Sequence, residues 1–243
     1  MTYPLRQLTT APASARPPAP TLNSMANTLQ NPKVASVLDR MYTEAENQMS
    51  LLRQRHSDFD RPMTAQERAD AMSEFYIPVT PEAGRLLYAL VRATRPGTVV
   101  EFGMSFGISA VHLASAVRDN GAGRVVTTEL NDTKIAAARQ TFAQTGLDDV
   151  ITILEGDALT TLAGQNGPID FVLLDGWKDL YLPVSELLEP RLSTGALVVA
   201  DNASAADMQP YLNRVRDPAN GYVSFNFQVR KSDSMEISCR TGD

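Results

Sequence analysis

The stretch VVEFGMSFGISA (99–110) decides the fold that the sequence predicts. It is an apolar run that contains one acid, Glu101, and ends in a turn with Gly103 and Gly107. This pattern is typical of a buried parallel strand that leads into a helix. Open α/β sheets bind their ligands at the carboxyl ends of such strands, so the turn is the first candidate for a binding site.

Two further strand-like runs also end in polar residues. FVLLDGWKDLYLP (171–183) passes from apolar residues into Asp175-Gly-Trp-Lys, and ALVVADN (196–202) ends in Asp201 and Asn202. The carboxyl ends of neighbouring parallel strands meet at one edge of a sheet. We therefore expect these carboxylates, the amide and the lysine to lie close together.

The order of apolar and helical patterns indicates an α/β fold. Strand-like runs alternate with helical stretches, which favours right-handed crossovers and a parallel sheet. The predicted strands cover 98–103, 124–129, 150–154, 169–175 and 196–201, and the predicted helices lie near 107–119, 132–145, 158–164, 179–189 and 204–216. The runs 222–229 and 234–240 then predict an antiparallel hairpin at the sheet edge.

Composition excludes several classes of protein. The chain has 243 residues, enough for one domain of enzyme size with an extension, and its net charge of −6 argues against a nucleic-acid surface. With one cysteine and two histidines, it can form neither an internal disulfide nor a cysteine-based metal cluster. No apolar run reaches about 18 residues, so we expect no membrane span and a cytoplasmic location.

The N-terminal third precedes the regular pattern. Residues 1–31 are rich in Pro, Ala, Thr and Ser, which predicts a disordered extension in which Met25 could be an alternative start. The spacing of apolar residues predicts a helix over 33–55. Thr64, with a glutamate three residues later, resembles a capping box, and Pro81 suits the first position of another helix.

The turn after the first strand suits an organic anion better than a pyrophosphate. Gly103 and Gly107 would allow a sharp turn whose helix offers free N–H groups, and Ser109 could add a hydroxyl. The dinucleotide fingerprint requires a second glycine where this chain has Ser105, so pyrophosphate binding is disfavoured. Glu101 could accept a hydrogen bond from an ammonium group of the ligand.

Acids also end the second and third strands. Glu129 lies 26 positions after Gly103, close to the spacing of an acid that binds ribose hydroxyls. Asp157 ends the third strand and could reach an adenine edge. The alternative for each acid is a structural one, the N-cap of the following helix.

Together these strand ends resemble the class I S-adenosylmethionine-dependent methyltransferases, and in particular catechol O-methyltransferase and its metal-dependent relatives. The resemblance runs from about residue 78 to the C-terminus. The segments that carry it are EFGMSFGISAVHLA (101–114), ELN (129–131), LDGWKDLYLP (174–183) and ADN (200–202).

The resemblance implies a Rossmann-like methyltransferase sandwich of the α/β class. Its sheet would be seven-stranded and mostly parallel, with a C-terminal antiparallel hairpin and extra N-terminal helices. Residues 32–243 would form a single methyltransferase domain, with N-terminal helices in 32–97 and the cofactor-binding sheet core in 98–243. The implied cofactors are S-adenosyl-L-methionine and Mg²⁺ or another divalent cation.

The same resemblance implies the roles of individual residues. Glu129 would hold the ribose, Asp157 and Ala158 would lie at the adenine, and Ser109 with the backbone near Val79 would line the methionine end. The expected cofactor-binding residues are Val79, Glu101, Gly103, Ser105, Ser109, Glu129, Leu130, Asp157, Ala158, Asp175 and Trp177. Asp175, Asp201 and Asn202 match the family's metal ligands, and Lys178 matches its catalytic base, acting beside Asp175.

This donor set agrees with the expected chemistry. Mg²⁺ prefers hard oxygen ligands and keeps several waters, so two carboxylates and one amide suffice. A nearby cation makes an acceptor hydroxyl more acidic, and a lysine can then take its proton. The structural alternatives are that Asp201 and Asn202 only cap the next helix and that Lys178 is a solvated loop charge.

Two positions depart from the family pattern. Gly176 replaces a histidine of catechol O-methyltransferase near the adenine, which predicts looser packing there. Phe227 falls where that enzyme has an acid for the second catechol hydroxyl, which puts a vicinal diol in doubt and favours a more apolar aromatic acceptor. The candidates for the acceptor pocket are Phe75, Tyr76, Ile77 and Tyr181.

These observations predict an O-methyltransferase that acts on a small hydroxylated, aromatic molecule. A metal-independent methyltransferase of the same fold, a non-catalytic S-adenosylmethionine-binding protein and a nicotinamide oxidoreductase are the alternatives. No nucleic-acid or membrane partner is expected. The sequence does not fix the oligomeric state, although relatives are often dimers and the helix at 33–55 could pack across a two-fold axis.

Overall fold

The computed structural model describes residues 27–54, 62–230 and 233–242, and its core is one seven-stranded sheet. The strand order is β3-β2-β1-β4-β5-β7-β6. The strands are β1 Thr98–Phe102, β2 Arg124–Glu129, β3 Ile151–Glu155, β4 Ile169–Leu174, β5 Leu192–Ala200, β6 Tyr222–Arg230 and β7 Asp233–Arg240. The helices are α1 Pro32–Gln54, α2 Ala65–Ala71, α3 Pro81–Thr94, α4 Ile108–Asn120, α5 Asp132–Thr145, α6 Ala158–Thr161, α7 Tyr181–Leu188 and α8 Gln209–Arg216.

The pairing of the strands confirms the predicted topology. β3, β2, β1, β4 and β5 are mutually parallel, and β7 joins the sheet antiparallel between β5 and β6. Every residue of β1 is buried, because helices cover both faces of the central strands. The fold is therefore the Rossmann-like sandwich with a C-terminal antiparallel hairpin.

Alternate residues of the strands pack into two separate cores. In β1, Val99 faces the core formed with α1, α3, α4 and α5, while Val100 and Phe102 face the core formed with α6, α7 and α8. In β4, Phe171 faces the first core and Val172 the second. The period of two places both sets of apolar side chains out of water and fixes the register of the central strands.

Several element boundaries differ from the sequence prediction, and α8 begins at Gln209 rather than near 204. β5 begins at Leu192 rather than at 196, because Leu192 pairs with Ile169 across a register shift. A 3₁₀ turn at Thr28–Gln30 precedes α1, and Thr28 binds the Asp119 carboxylate through its backbone N–H, 3.0 Å from Oδ2. The rest of the expected extension, residues 1–26 with Met25, lies outside the described residues.

The N-terminal helices begin where their capping residues indicate. Thr64 and Glu67 form the reciprocal capping box of α2, and Pro81 is the first residue of α3 behind the N-cap Thr80. α3 packs closely on α4, since a Cβ on Gly84 would lie 2.5 Å from the His112 ring. Among the described residues, no helix is long and apolar enough to span a membrane.

The buried imidazole of His112 makes the stability of the protein depend on pH. Burial lowers the pKa of this imidazole to about 4, and among the described residues the hydrogen-bond partner of the ring is Tyr42 Oη, 3.2 Å from Nε2. Because the unfolded chain takes up this proton near pH 6.5 and the native state does not, stability falls as pH decreases from about 6.5 to 4, by at most about 3 kcal/mol.

Urea unfolding of the wild type and of His112→Gln at pH 7.5, 5.5 and 4.5 measures this contribution. We expect the stability difference between the two proteins to shift in favour of the variant as the pH falls. The comparison cancels other groups, including Glu101, whose pKa is raised to about 7 by burial and which acts in the opposite direction. A difference independent of pH would show that His112 titrates normally in the native state.

Candidate active site

The loops after the parallel strands enclose a cavity of about 380 Å³, within the range of ligand-binding pockets. It lies where β1, β2, β3, β4 and β5 end, and α2 contributes one wall. The expected site residues that line it are Gly103, Ser105, Ser109, Glu129, Leu130, Asp157, Ala158, Asp175, Trp177, Lys178 and Asn202. Three other expected site residues do not line the cavity. They are Val79, Glu101 and Asp201, which are buried in the protein interior.

Two glycines bring the ends of β1 and β4 into contact. A Cβ on Gly103 would lie 2.6 Å from the backbone of Gly176, and Gly103 has a φ of +94°, which glycine adopts without strain. The N–H of Asp175 also donates to the carbonyl of Phe102, at 2.8 Å. This contact places the segment with Asp175, Trp177 and Lys178 next to the turn after β1.

The packing at Gly176 is tight, and the expectation of looser packing there is wrong. A Cβ on Gly176 would overlap the ring of Phe102. Phe102 extends from the end of β1 into the space that a side chain at position 176 would need. The aromatic ring therefore compensates for the missing side chain.

Glu129 fixes the turn after β1. Its Oε2 accepts the N–H of Ser105 at 2.7 Å, and its Oε1 accepts those of Leu130 and Asn131 at 2.9 and 3.0 Å. Ser105 has a φ of +52°, a conformation that costs energy for a residue with a side chain. The carboxylate thus stabilises a strained turn at the edge of the cavity.

Glu101 is fully buried at the start of the same turn. Burial raises the pKa of its carboxyl to about 7, although the hydroxyls of Ser109 and Thr127 lower it. Oε2 accepts the Thr127 hydroxyl, while Oε1 has no hydrogen-bond partner among the described residues. An acceptor of this kind, one residue from the cavity wall at Phe102, is suited to an ammonium group.

The third strand supplies the opposite end of the cavity. Asp157 caps α6, where its side chain accepts the N–H of Thr160 at 3.0 Å, and it also lines the cavity with Ala158. Asp157 is therefore the N-cap of α6, which was its structural alternative. Its other carboxylate oxygen remains for a ligand. Val79 is packed in the core, and its neighbour Pro78 lines the cavity instead.

Two carboxylates end β4 and β5. Burial raises the pKa of the Asp175 carboxyl well above its usual range, and the nearby charge of Asp201 raises it further, while Lys178 opposes both. Burial likewise raises the pKa of Asp201, whose Oδ1 has no partner among the described residues. A divalent cation would satisfy this oxygen and remove the repulsion between the two acids.

Asn202 is held in a fixed orientation by the hairpin. Its Nδ2 donates to Asp233 Oδ2 at 2.7 Å, which leaves the amide oxygen free for a cation. Asn202 has a φ of +55° and lines the cavity. Local sequence patterns contain no signal for Asp233, because the pairing of β7 with β5 is a property of the tertiary fold.

The residues present fit a divalent metal. The described chain contains no group of three or more His, Cys, Asp or Glu residues that could hold one, so any site must include a neutral ligand. Asp175, Asp201 and Asn202 offer two carboxylates, one with an unpartnered buried oxygen, and an oriented amide. Hard oxygen donors of this kind suit Mg²⁺.

Lys178 lies beside these acids. Its Nζ is 4.0 Å from Asp175 Oδ1 and donates to the carbonyl of Gly176 at 2.9 Å and to the hydroxyl of Tyr181 at 3.0 Å. The Tyr181 hydroxyl donates in turn to the carbonyl of Asp201, at 3.3 Å. Lys178 is therefore tied to the site and is not a free loop charge.

α2 covers the cavity, which the sequence did not predict. The Arg68 guanidinium lies 4.8 Å from the centre of the Trp177 ring and pairs with Asp179 at 2.9 Å. Arg68, Met72, Lys134 and Asp207 line the cavity without having been predicted. Helical spacing shows that α2 and α5 form, but it contains no information on which strand end they approach.

The residues expected around an acceptor divide into two groups. Tyr76 and Ile77 line the cavity, and the Tyr76 ring stacks on Phe106 with centroids 4.2 Å apart. Phe75 and Tyr181 are buried in the core instead. Phe227 is 43% exposed on the edge strand β6 and does not line the cavity. It therefore does not disfavour a vicinal diol as acceptor.

Comparison with known proteins agrees with this geometry. A family model described as a methyltransferase domain matches residues 100–203. The chain is 32% identical over 203 residues to catechol O-methyltransferase of Mus musculus, covering 78% of this chain and 76% of that protein. It is also 32% identical to catechol O-methyltransferase B of Danio rerio, over 70% of this chain and 67% of that protein.

Solved structures share the fold. The O-methyltransferase of Bacillus cereus, in complex with S-adenosylhomocysteine, superposes with a TM-score of 0.63 over 83% of this chain and all of that chain, at 20% identity. This likeness confirms the architecture of the sheet and helices.

Replacement of Glu129 is expected to weaken the binding of S-adenosylhomocysteine, the demethylated cofactor. Glu129→Ala removes a charged acceptor from the cavity and releases the Ser105 turn, so we expect S-adenosylhomocysteine binding to weaken by about 1–3 kcal/mol. Isothermal titration calorimetry measures this loss. Glu155→Ala is the matched control, because Glu155 pairs in register with Glu129 but binds Arg139 away from the cavity. Equal affinities for the wild type and Glu129→Ala would contradict the assignment of Glu129 to the cofactor site.

Proposed function

The chain belongs to the S-adenosylmethionine-dependent O-methyltransferases, in the family that includes catechol O-methyltransferase, and from this premise we propose its acceptor, metal and base. The acceptor is a small aromatic molecule with a hydroxyl group, the metal is Mg²⁺ and the base is Lys178. The observation that carries the proposal is the placement of Lys178 4.0 Å from Asp175 at the wall of the cavity.

The residues around the turn after β1 suit the methyl donor. Glu129 offers a carboxylate to the ribose, and Asp157 lies at the far end for the adenine. Ser109 lines the cavity and offers its hydroxyl at the methionine end, and the unpartnered Oε1 of Glu101 lies one residue behind the cavity wall at Phe102. S-adenosylmethionine, when bound, supplies an activated methyl group on a sulfonium.

Asp175, Asp201 and Asn202 would hold the metal. Mg²⁺, when bound there, makes the acceptor hydroxyl more acidic and fixes its position. The unpartnered oxygen of Asp201 and the amide oxygen left free by the Asn202–Asp233 hydrogen bond support this role.

Lys178 has the hydrogen-bond pattern that a general base needs. Its two acceptors, the Gly176 carbonyl and the Tyr181 hydroxyl, match the two N–H bonds of a neutral amine. One position on Nζ remains to receive the proton of the acceptor hydroxyl. The oxygen deprotonated by Lys178 would be the nucleophile for the activated methyl group that S-adenosylmethionine supplies, with S-adenosylhomocysteine as the leaving group.

Tyr181 positions Lys178 for this step. The tyrosine is fully buried, accepts from Lys178 and donates to the carbonyl of Asp201. Its ring also lies under the Lys178 Nζ at 5.0 Å. This buried bridge links the base to the end of β5 and limits the motion of a long, flexible side chain.

The rest of the cavity wall is the reason for proposing a small aromatic acceptor. Apolar groups from α2, from the segment before α3 and from the loop after β4 line the cavity that Lys178 also lines. They are Met72, Tyr76, Ile77, Pro78, Trp177 and Leu180. Such a wall favours a flat apolar ring, and Asp207 offers a carboxylate for a polar substituent.

A screen of phenols and catechols with S-adenosylmethionine tests the proposal. We expect one or more acceptors to yield S-adenosylhomocysteine and an O-methylated product, detected by mass spectrometry. EDTA is expected to abolish turnover and added Mg²⁺ to restore it, and Asp201→Asn is expected to lose this response. Full activity in EDTA would show that the enzyme is metal-independent, and the absence of any methylated phenol or catechol would contradict the acceptor class.

Replacement of Lys178 separates the base from the binding residues. We expect Lys178→Ala to lower kcat by about two to four orders of magnitude with unchanged affinity for S-adenosylhomocysteine, because the base acts only on the acceptor. Lys178→Arg keeps the charge but cannot give up its proton, so it should be equally inactive. Recovery of activity by arginine would show that Lys178 contributes only a positive charge.

A further inference from the structure

A second lysine in the cavity has no role in the reaction described so far. Lys134 lies in the first turn of α5 and is 5% exposed, yet it lines the cavity. Its Nζ is 3.1 Å from Ser105 Oγ and 5.5 Å from the centre of the Phe106 ring. The ammonium is therefore directed at the turn that Glu129 also holds.

Lys134 is buried without a direct ion pair to a described residue, and the opposite charge that acts on it is that of Glu129. Within the described residues it forms no ion pair, and its hydrogen bond to Ser105 uses one of three donors. Burial lowers the pKa of this amine, although the charge of Glu129 opposes the shift. A buried lysine of this kind costs folding free energy unless a ligand uses its free donors.

Much of the acceptor capacity of Glu129 is already used within the protein. A carboxylate has about four lone-pair sites, and Glu129 already accepts three backbone N–H groups, from Ser105, Leu130 and Asn131. Two of these bonds use Oε1 and one uses Oε2. Oε2 therefore has the larger remaining capacity for a ribose hydroxyl, and a second polar group at the same turn would strengthen the contact with the sugar.

We propose that Lys134 is a cofactor-binding residue that completes the ribose site of this enzyme. Glu129 Oε2 accepts the proton of one ribose hydroxyl, and Lys134 Nζ donates to the oxygen of the other. The two side chains reach the same turn from β2 and α5, since both bind Ser105. This inference rests on the dependence on S-adenosylmethionine and adds a recognition group beside the acid.

Calorimetry with ribose analogues tests the proposal independently of activity. The ligands are S-adenosylhomocysteine and its 2′-deoxy and 3′-deoxy analogues. The proteins are the wild type, Lys134→Met and the control Lys33→Met, which removes an exposed lysine of α1. We expect Lys134→Met to bind S-adenosylhomocysteine about tenfold more weakly, as for a lost charged hydrogen bond, and Lys33→Met to bind as the wild type.

The analogues distinguish a direct contact from an indirect effect. For one deoxy analogue, the wild type and Lys134→Met should have equal affinity, because the oxygen that Lys134 contacts is absent. Lys134→Gln, which keeps an N–H donor, should recover part of the loss, and thermal unfolding verifies that each variant is folded.

Unchanged affinity in Lys134→Met, or the same loss with all three ligands, would overturn the proposal and leave the methyltransferase assignment intact. Failure of the wild type to bind S-adenosylhomocysteine would contradict the proposed function as well. The two outcomes are therefore distinguishable.

Discussion

The contact between Gly103 and Gly176 is the constraint on which the site depends. Because no Cβ stands between them, the loop after β4 lies against the turn after β1, with the Phe102 ring filling the adjacent space. The half of the cavity that suits a methyl donor and the half that carries Asp175 and Lys178 thus share one wall. A side chain at position 103 would clash with the backbone of Gly176 and push the two segments apart.

Charged groups without partners concentrate at this junction. Oxygens of Glu101 and Asp201 lack hydrogen-bond partners among the described residues, and Lys134 is buried without an ion pair. Each costs stability in the free protein. Ligands can repay that cost, as the ammonium of a methionine group would for Glu101 and a cation would for Asp201. This pattern agrees with the proposed binding of a charged cofactor and a metal.

The sequence predicted the fold and the strand-end residues because both follow from local patterns. A run such as 99–110 contains the apolar strand residues, the polar residue and the turn glycines within one segment. The parallel topology of the sheet then brings the ends of such runs together. The sequence could not place α2 over the cavity, since helical spacing does not encode docking. It also could not show that Phe227 lies away from the site, or that Phe102 fills the space at Gly176, because both depend on packing between distant segments.

The measurement that tests the central claim most directly is a crystal structure of the protein with S-adenosylhomocysteine and Mg²⁺. The account predicts one cation held between Asp175, Asp201 and Asn202, next to a cofactor whose ribose lies at Glu129. Side chains of these three residues that point apart with no density between them would contradict the metal-assisted mechanism. The nucleotide-binding half of the site would then remain.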